Sequence, residues 1–205
     1  WNVNFIYRWT SGSYESWTGG GYIPGIVNNV QWKDYWNVDF RLSKHFEVAD
    51  RVRASLFVDV NNVLNHRYFS PYTPGFVLAG DRLAYMRSLH LPQSVLDEIG
   101  NGYPAPPIAG NDRPGDYRDF DVEFVPIVSV VNLERVSNPN ERPLYWHSAS
   151  QDYYQYDKDT GVFNPADDEY VKEVLETKAY IDMPNQPYFT FFNPRAVRYG
   201  IRISF

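Results

Sequence analysis

Residues 36–62 read WNVDFRLSKHFEVADRVRASLFVDVNN and contain two runs in which every second residue is apolar. One run carries Trp36, Val38, Phe40, Leu42 and Phe46 on a single parity, and the other carries Val52, Ala54, Leu56, Val58 and Val60. Alternation of this kind predicts two β-strands that each have one apolar and one polar face. Only the segment EVADR, residues 47–51, separates the runs, which predicts a tight turn between antiparallel strands.

The same alternation occurs at both ends of the chain. The apolar parity carries Trp1, Val3, Phe5, Tyr7 and Trp9 in WNVNFIYRWT, residues 1–10, and Val197, Tyr199, Ile201, Ile203 and Phe205 in AVRYGIRISF, residues 196–205. Long connections, residues 11–31 and about residues 65–194, lie on either side of the central pair of runs. Four strands joined in this way predict an antiparallel meander with one tight rim and one elaborate rim.

Composition excludes several classes of protein. The 205 residues include no cysteine, so disulfides and cysteine-based metal sites are excluded. The net charge of −6 argues against nucleic acid as a partner. No apolar run reaches the roughly 18 residues of a transmembrane helix. Because the chain begins within a strand pattern and without an initiator methionine, we expect it to be the C-terminal piece of a longer protein.

Alternation fits both a soluble sandwich and a membrane barrel. Each run spans about nine to eleven residues, the length of a strand that crosses a bilayer, whereas strands of soluble proteins average about five or six. Trp1 and Trp9 bracket the first run, and Trp36 and Phe46 bracket the second. Lys44 lies on the apolar parity, but close to the turn, where a charge costs about 0–1 kcal/mol. These features favour the membrane barrel, with the soluble sandwich as the alternative.

Four strands cannot close a barrel. The smallest bacterial barrels have about eight strands, and an open edge in lipid leaves backbone groups without hydrogen bonds. We therefore expect the remainder of the barrel in upstream sequence or in a partner chain.

The long connection before the last strand contains patterns of short helices. Residues 81–91 predict one helix with Asp81 as N-cap. Residues 92–100 predict another, with Pro92 in its first turn and Gly100 at its end. Residues 167–180 predict a third, which begins with acidic residues. Residues 122–131 predict one or two short strands broken at Pro126.

Two loose motifs in the central strands resemble those of a known family. The patterns are W-x-x-D-x-R-x-x-K and D-x-x-N-x-x-N, carried by Trp36, Asp39, Arg41, Lys44, Asp59, Asn62 and Asn65. The last residues, NPRAVRYGIRISF, resemble a closing strand that ends in phenylalanine. In this order they resemble the penultimate hairpin and closing strand of a TonB-dependent outer-membrane receptor. The long insertion resembles the large outer loops of receptors from Bacteroidetes-like lineages.

The resemblance implies an all-β transmembrane fold in the outer membrane of a Gram-negative bacterium. The chain then supplies the C-terminal four antiparallel strands of a large β-barrel. Residues 1–66 hold three barrel strands with one extracellular loop and one periplasmic turn. Residues 67–194 form a large extracellular loop containing short helices, and residues 195–205 form the final strand.

The resemblance also implies a receptor that captures a ligand outside the cell and imports it through a plugged barrel, without catalysis. Implied partners are outer-membrane lipid, the rest of the barrel and its plug, the TonB complex and the barrel-assembly machinery, with a surface lipoprotein as a further candidate. The assembly machinery reads a signal formed by Tyr199, Ile201, Ile203 and Phe205. The alternatives are a non-transporting outer-membrane barrel that binds or adheres, and a secreted all-β module that binds glycans.

Aromatic residues gather in PLYWHSASQDYYQY, residues 143–156. Tyrosine and tryptophan are frequent anchors at binding hot spots, and their faces stack on sugars and other flat ligands. The candidate ligand-binding residues are Tyr145, Trp146, His147, Tyr153, Tyr154 and Tyr156. The alternative is a small core that keeps the long connection ordered.

A calcium site is a further candidate. In YDKDTG, residues 156–161, Asp157 and Asp159 have the spacing of the first ligands of a calcium loop. Gly161 departs from that pattern because it has no side-chain oxygen, so a hairpin turn is the alternative. No other cofactor is expected, and the four histidines lack metal or catalytic spacing.

The segment GNDRPGDYRDFD, residues 110–121, mixes acidic and basic residues. This mixture predicts mutual ion pairs within a turn, among Asp112, Arg113, Asp116, Arg118, Asp119 and Asp121. No catalytic constellation is present in the sequence patterns.

Overall fold

The computed structural model describes residues 1–50, 52–69, 79–103, 106–182 and 194–205. Over these residues the chain is mostly β-sheet with three short α-helices, as the sequence predicts. None of the described helices has the length and apolar character needed to cross a membrane.

The strands are β1 (Asn2–Thr10), β2 (Tyr14–Glu15), β3 (Val30–Gln31), β4 (Tyr35–Ala49), β5 (Val52–Asn61), β6 (Ile127–Val130), β7 (Leu144–His147), β8 (Asp152–Asp157), β9 (Val162–Pro165) and β10 (Ala196–Ser204). The helices are α1 (Ala79–Ser88), α2 (Gln93–Ile99) and α3 (Asp168–Glu176). Short 3₁₀ turns cover Gly100–Gly102 and Leu133–Arg135.

Internal contacts divide the chain into two compact units. The first unit consists of Trp1–Ser13, Lys33–Ser70 and Gln186–Phe205. The second consists of Tyr14–Trp32 and Pro71–Asn185. The connection between β1 and β4 therefore belongs to the same unit as the much longer connection between β5 and β10.

The first unit is built on one antiparallel sheet in the order β1-β4-β5-β10. The predicted four-stranded meander is confirmed at this level. β4 extends past its alternating pattern to Ala49, and its register with β5 shifts between Glu47 and Ala49. Such an irregularity adds twist to a strand pair, and here it lies beside the tight turn.

Register places the apolar residues of all four strands opposite one another. One row runs Phe5, Phe40, Val60 and Val197, and the next runs Val3, Leu42, Val58 and Tyr199. Phe46, Ala54 and Ile203 form another row closer to the tight turn. Because the side-chain period of a strand is two, these rows lie on one face of the sheet. On the edge strands that face is exposed: Phe5 and Ile201 each keep 67% of their accessible surface, and Tyr199 keeps 83%. On β4 and β5 most of its side chains are half-buried.

Two exceptions to the alternation have structural explanations. Lys44 lies on the apolar face with its ammonium 4.7 Å from the Trp1 ring centre and 5.0 Å from that of Phe46. A cation over aromatic faces is stabilised electrostatically. Phe57 lies on the polar face, opposite Gly200. A Cβ at Gly200 would lie 2.8 Å from the Phe57 ring, so glycine is what lets this ring cover its neighbouring strand.

Ion pairs link the strands on the polar face. Arg41 of β4 donates two hydrogen bonds to the carboxylate of Asp59 in β5, at 2.5 and 2.7 Å. Arg8 of β1 donates to Asp39 of β4 at 2.7 Å. Each pair joins neighbouring strands, so together they tie β1, β4 and β5 in one register.

The asparagines that follow β5 turn the chain at the end of the sheet. Asn62 and Asn65 have φ angles of 53° and 51°, the left-handed region that asparagine tolerates. The Asn62 N–H donates to Asp39 at 3.0 Å, and the Asn62 side chain bonds both the N–H and the carbonyl of His66. The His66 ring stacks on Trp36 with 3.9 Å between ring centres. Most motif residues of the two central strands are thus hydrogen-bonded to one another: Arg41 bonds Asp59, and Asn62 bonds Asp39.

The second unit contains the three helices, the pair β2-β3 and a four-stranded sheet in the order β6-β7-β8-β9. β6 and β7 are parallel, and the other neighbours are antiparallel. Of the predicted strand positions within residues 122–131, only β6 forms, directly after Pro126. The bounds of β7, β8 and β9 were not predicted, although the hairpin turn that the sequence allowed within residues 156–161 lies between β8 and β9.

The predicted helices exist, with corrected ends. α1 begins at Ala79, so the prediction of Asp81 as N-cap is wrong and Asp81 lies in the first turn. Pro92 is the cap before α2 rather than a first-turn residue, because its ψ of 145° is extended. α3 begins after Asp167, whose side chain accepts the N–H of Tyr170 at 3.0 Å.

The core of the second unit draws on both long connections. Trp32, which is fully buried, stacks on Tyr85 of α1 with 6.3 Å between ring centres. Trp17 donates its indole N–H to the Tyr103 hydroxyl at 2.8 Å. Arg113 donates to the Trp32 carbonyl at 2.8 Å. These contacts join residues 14–32 to residues far along the chain.

Glycine is required where the two connections cross. Gly19 has a φ of +74°, and a Cβ there would lie 2.6 Å from the carbonyl oxygen of Gly102. A Cβ at Gly102 would in turn lie 2.6 Å from the carbonyl oxygen of Thr18. Because both obstacles are backbone atoms, neither residue accepts a side chain without displacing the other connection.

We expect Gly19→Ala to destabilise the second unit by about 1–3 kcal/mol, through its positive φ and the backbone clash. Gly21→Ala is the matched control, since no atom lies within 4 Å of a Cβ there and its φ is not positive. Urea unfolding followed by tryptophan fluorescence measures both effects, because Trp17 and Trp32 are buried in this unit. Equal urea midpoints for Gly19→Ala and Gly21→Ala would contradict the close approach of Gly19 to Gly102.

Candidate functional site

A pocket of about 360 Å³ lies within the second unit. α1 contributes one side, from Ala84 to Ser88, and β6 contributes Ile127 and Ser129. The apolar part of the wall consists of Ala84, Leu89, Pro106, Pro107, Ile108, Phe124, Pro126 and Ile127. Proline and isoleucine side chains carry no hydrogen-bonding groups, so this wall offers apolar contact alone.

Polar side chains occupy the rest of the pocket wall. They are Arg87, Ser88, His90, Tyr103, Ser129, Tyr180 and Asp182. Arg87 and Asp182 are exposed, whereas His90 is 7% exposed. Arg87 is held by a hydrogen bond from its Nε to the Gly19 carbonyl at 3.0 Å, a bond that does not use its two terminal nitrogens.

His90 is a neutral ring in this wall. It stacks on Tyr180 with 4.0 Å between ring centres and 10° between planes. Burial lowers the pKa of His90 from 6.5 to about 4; the nearby Asp112 carboxylate opposes this shift and Lys178 adds to it. At neutral pH His90 therefore brings no charge to the pocket.

A fully buried carboxylate fixes this side of the pocket. Asp112 accepts the His90 backbone N–H at 2.7 Å, the Tyr180 hydroxyl at 2.7 Å and the Lys178 ammonium. The Lys178 ammonium also lies 3.7 Å from the Asp116 carboxylate. Burial, together with the Asp112 charge, raises the pKa of Tyr180 far above its ordinary value, so its hydroxyl remains a donor.

Tyr85 adds a second buried hydroxyl near this cluster. It donates to the Asp116 carbonyl at 2.7 Å and accepts the Gly115 N–H at 2.8 Å. Sequence reasoning expected Asp112 and Asp116 to pair with arginines of their own segment. The partner that it missed is Lys178, which reaches both carboxylates from the residues after α3. No local pattern signals a contact over such a separation in sequence.

The six aromatic candidates of the sequence lie on β7 and β8. Register pairs Tyr145 with Tyr154 and Trp146 with Tyr153, so the strands divide them between two faces. Tyr145 is only 2% exposed, and its hydroxyl exchanges hydrogen bonds with the backbone of Asn140. The other five are partly accessible.

These aromatic residues contact one another rather than forming one open platform. Trp146 packs on Tyr153 with 4.8 Å between ring centres, and Tyr156 packs on Phe163 at 5.1 Å. One His147 ring nitrogen lies 2.7 Å from the Ser150 hydroxyl, and the other lies 3.1 Å from the Val131 carbonyl. Burial, and then the charge of Asp112, raise the pKa of Tyr153 to about 12. A ligand-binding role for the six residues stays a prediction.

The calcium candidates lie in the turn between β8 and β9. The Asp157 carboxylate accepts the backbone N–H groups of Asp159 at 2.8 Å and Thr160 at 3.2 Å. Hydrogen bonds from Thr160, and then that from Asp159, lower the pKa of Asp157. Gly161 follows with a φ of 72°. This is the hairpin arrangement that the sequence allowed as the alternative. Over the described ranges, no group of three or more metal-ligating side chains is present, and calcium binding stays a prediction.

No protein-family model, curated protein or solved structure matches the chain. The site therefore rests on its own geometry. That geometry is a pocket with an apolar wall, one exposed cation, one exposed anion and a neutral histidine fixed by a buried carboxylate.

We expect the His90 imidazole to titrate with a midpoint near pH 4. Because this pKa lies below the value of 6.5 in an unfolded chain, the unfolded state binds the proton first as the pH falls. The stability that His90 contributes is complete above about pH 6.5 and is lost progressively down to about pH 4.

An NMR titration of the histidine rings measures this midpoint, with the His90 resonance identified by its loss in His90→Phe. That variant keeps a ring against Tyr180 and removes the titration. The stability of the protein should therefore decrease less steeply between pH 6.5 and pH 4 in His90→Phe than in the native protein. A His90 midpoint at pH 6 or above contradicts the buried, neutral ring.

Proposed function

We propose that this chain supplies the C-terminal four strands and the outer connections of a TonB-dependent outer-membrane receptor. The observation that carries the proposal is the apolar face of the sheet β1-β4-β5-β10. Its apolar side chains align in rows across all four strands, exposed on the edge strands β1 and β10 and mostly half-buried on β4 and β5. A contiguous apolar face of this extent marks a surface that is covered in the functional state, and lipid is the covering proposed here.

The ends of the strands support the assignment to lipid. Trp9 and Trp36 lie directly opposite each other at one end of β1 and β4. Trp1 and Phe46 flank the Lys44 ammonium at the other end. Membrane barrels carry aromatic girdles at both interfaces, and a lysine near an end extends its ammonium toward the headgroups.

Strand length also supports the proposal. β1 and β10 have nine residues each, β5 has ten and β4 has fifteen. Tilted strands of about nine to eleven residues span the hydrocarbon layer. The opposite face, with the pairs Arg41–Asp59 and Arg8–Asp39, fits a water-filled lumen, where charged groups remain solvated.

Orientation follows from the resemblance, which puts the tight turn between β4 and β5 on the periplasmic side. The two long connections then leave on the extracellular side, where a receptor captures its ligand. Import coupled to TonB, the plug and the assembly signal of Tyr199, Ile201, Ile203 and Phe205 also belong to the proposal through the resemblance. A secreted glycan-binding module accounts less well for the sheet, because it leaves the apolar rows in water.

Single-cysteine labelling tests the proposal, since the chain contains no cysteine of its own. Ile201→Cys and Arg202→Cys place a spin label on opposite faces of β10. In lipid vesicles we expect the Ile201 label to be relaxed mainly by oxygen, which concentrates in lipid, and the Arg202 label mainly by a water-soluble nickel chelate. Leu56→Cys and Ser55→Cys, their register partners in β5, provide the matched pair.

An alternating pattern of accessibility on both strands supports the lipid-facing sheet. Equal access of the nickel chelate to all four labels would overturn the proposal and favour the secreted module. Recovery of the protein in the outer-membrane fraction of the native cells is the accompanying measurement of location.

A further inference from the structure

We propose that the pocket of the second unit binds a small zwitterionic ligand with an apolar body, the class of apolar amino acids and short peptides. The ligand's carboxylate pairs with Arg87, its ammonium pairs with Asp182, and its side chains lie against the proline-rich wall. A role for this pocket in capturing a ligand for import rests on the proposed receptor function. Binding of the zwitterionic ligand to the pocket does not depend on that function.

The size and wall of the pocket favour a compact apolar body. Its volume of about 360 Å³ is at the lower end of the range for small-molecule sites. The wall formed by Pro106, Pro107, Pro126 and Ile108 is apolar and conformationally stiff. A stiff apolar wall rewards burial of hydrocarbon at about 25 cal/mol per Å² without a large cost in ordering. It offers no hydrogen bonds for the many hydroxyls of a sugar.

Charge defines the rest of the ligand. Among the described residues that line the pocket, Arg87 and Asp182 carry the charges, one of each sign. His90 is uncharged at neutral pH because it is buried. A ligand with a single charge would leave one of the two side chains without a partner. A zwitterion satisfies both.

Exposure places the two charged groups where ligand ends would reach them. Arg87 and Asp182 are exposed, whereas the ring of His90 and the side chain of Ile108 are buried. The charged ends of a bound ligand thus stay near water while its apolar body lies deeper. This avoids the large penalty for burying an ion pair.

Arg87 is positioned before any ligand arrives. Its Nε donates to the Gly19 carbonyl, and its terminal nitrogen lies 2.8 Å from where a Cβ at Gly20 would be. The guanidinium therefore lies close to the backbone of Gly19 and Gly20, and within the described part of the chain no carboxylate forms an ion pair with it. A planar guanidinium held in this way is suited to pair with a carboxylate.

The test uses the protein in detergent with the dipeptide leucyl-phenylalanine as the probe. We expect saturation-transfer NMR to show binding, with the strongest transfer to the leucine and phenylalanine side-chain protons. The N-acetylated dipeptide lacks the ammonium and the C-terminal amide lacks the carboxylate. Each should bind about fivefold more weakly, as expected for partly exposed ion pairs.

Variants assign the two ends of the ligand. Asp182→Asn should lower affinity for the dipeptide about fivefold and leave affinity for the N-acetylated form unchanged. Arg87→Gln should lower affinity for the dipeptide about fivefold and leave affinity for its C-terminal amide unchanged. Lys172→Gln and Glu176→Gln are matched charge controls, since this exposed ion pair lies on α3 and does not line the pocket. Asp182 is exposed, so Asp182→Asn keeps the test valid if Arg87→Gln unfolds.

Three outcomes overturn the proposal: no saturation transfer to the dipeptide, loss of affinity that is the same in the control variants, or binding of maltose in the pocket with equal or higher affinity. The spin-label experiment on β5 and β10 separates this site from the receptor assignment. A protein that binds the dipeptide but shows no lipid contact on its sheet refutes the receptor and retains the site.

Discussion

The period of two along a β-strand is the constraint on which the first unit depends. Each residue of the sheet β1-β4-β5-β10 belongs to one face, and a slip of one residue in any pairing would exchange the faces. The pairs Arg41–Asp59 and Arg8–Asp39 hold the register from the polar side. The pairing that forms these ion pairs also aligns the apolar rows. The apolar surface and the ion pairs are therefore two results of one register, and substitutions on either face affect both.

In the second unit the main constraint is the conformational entropy that long connections lose when they become ordered. A long segment without internal structure loses too much entropy on becoming fixed, and here the loss is offset by two kinds of burial. Trp17 and Trp32 bring apolar surface from the first connection, and Tyr85 receives the ring of Trp32. Asp112 provides the polar counterpart, because its buried carboxylate is satisfied by the His90 N–H from one segment and by the Lys178 ammonium and Tyr180 hydroxyl from another. Loss of the Lys178 ammonium would leave the buried carboxylate without a counter-charge, and loss of either of the other donors would remove a hydrogen bond from it.

The sequence predicts those elements whose pattern lies within one continuous stretch of residues, and it does not predict contacts between distant stretches. The strands of the first unit were visible because alternation persists over most of their length. Two of the exceptions are explained by contacts with other residues, Phe57 over Gly200 and Lys44 over Trp1 and Phe46. β7 and β8 were missed because aromatic residues occupy both of their faces, which removes the period of two. The role of residues 14–32 was missed for another reason. The contacts of Trp17 with Tyr103 and of Trp32 with Tyr85 join distant segments, and no periodicity in either segment records its partner. The pocket residues Arg87 and Asp182 are likewise ordinary surface residues until the fold brings them to one wall.

The contact of Gly19 with Gly102 has a consequence for how the chain acquires its structure. Residues 14–32 are synthesised before β4 and β5, but the backbone against which Gly19 rests follows both strands. The core of the second unit therefore cannot form until the residues that follow β5 have been made. While β4 and β5 are synthesised, residues 14–32 lack these packing partners. Contacts between segments so far apart are slow to form, so Trp17 and Trp32 spend that interval exposed. Completion of the second unit is in this way a late event, reached only after β4 and β5 have been made.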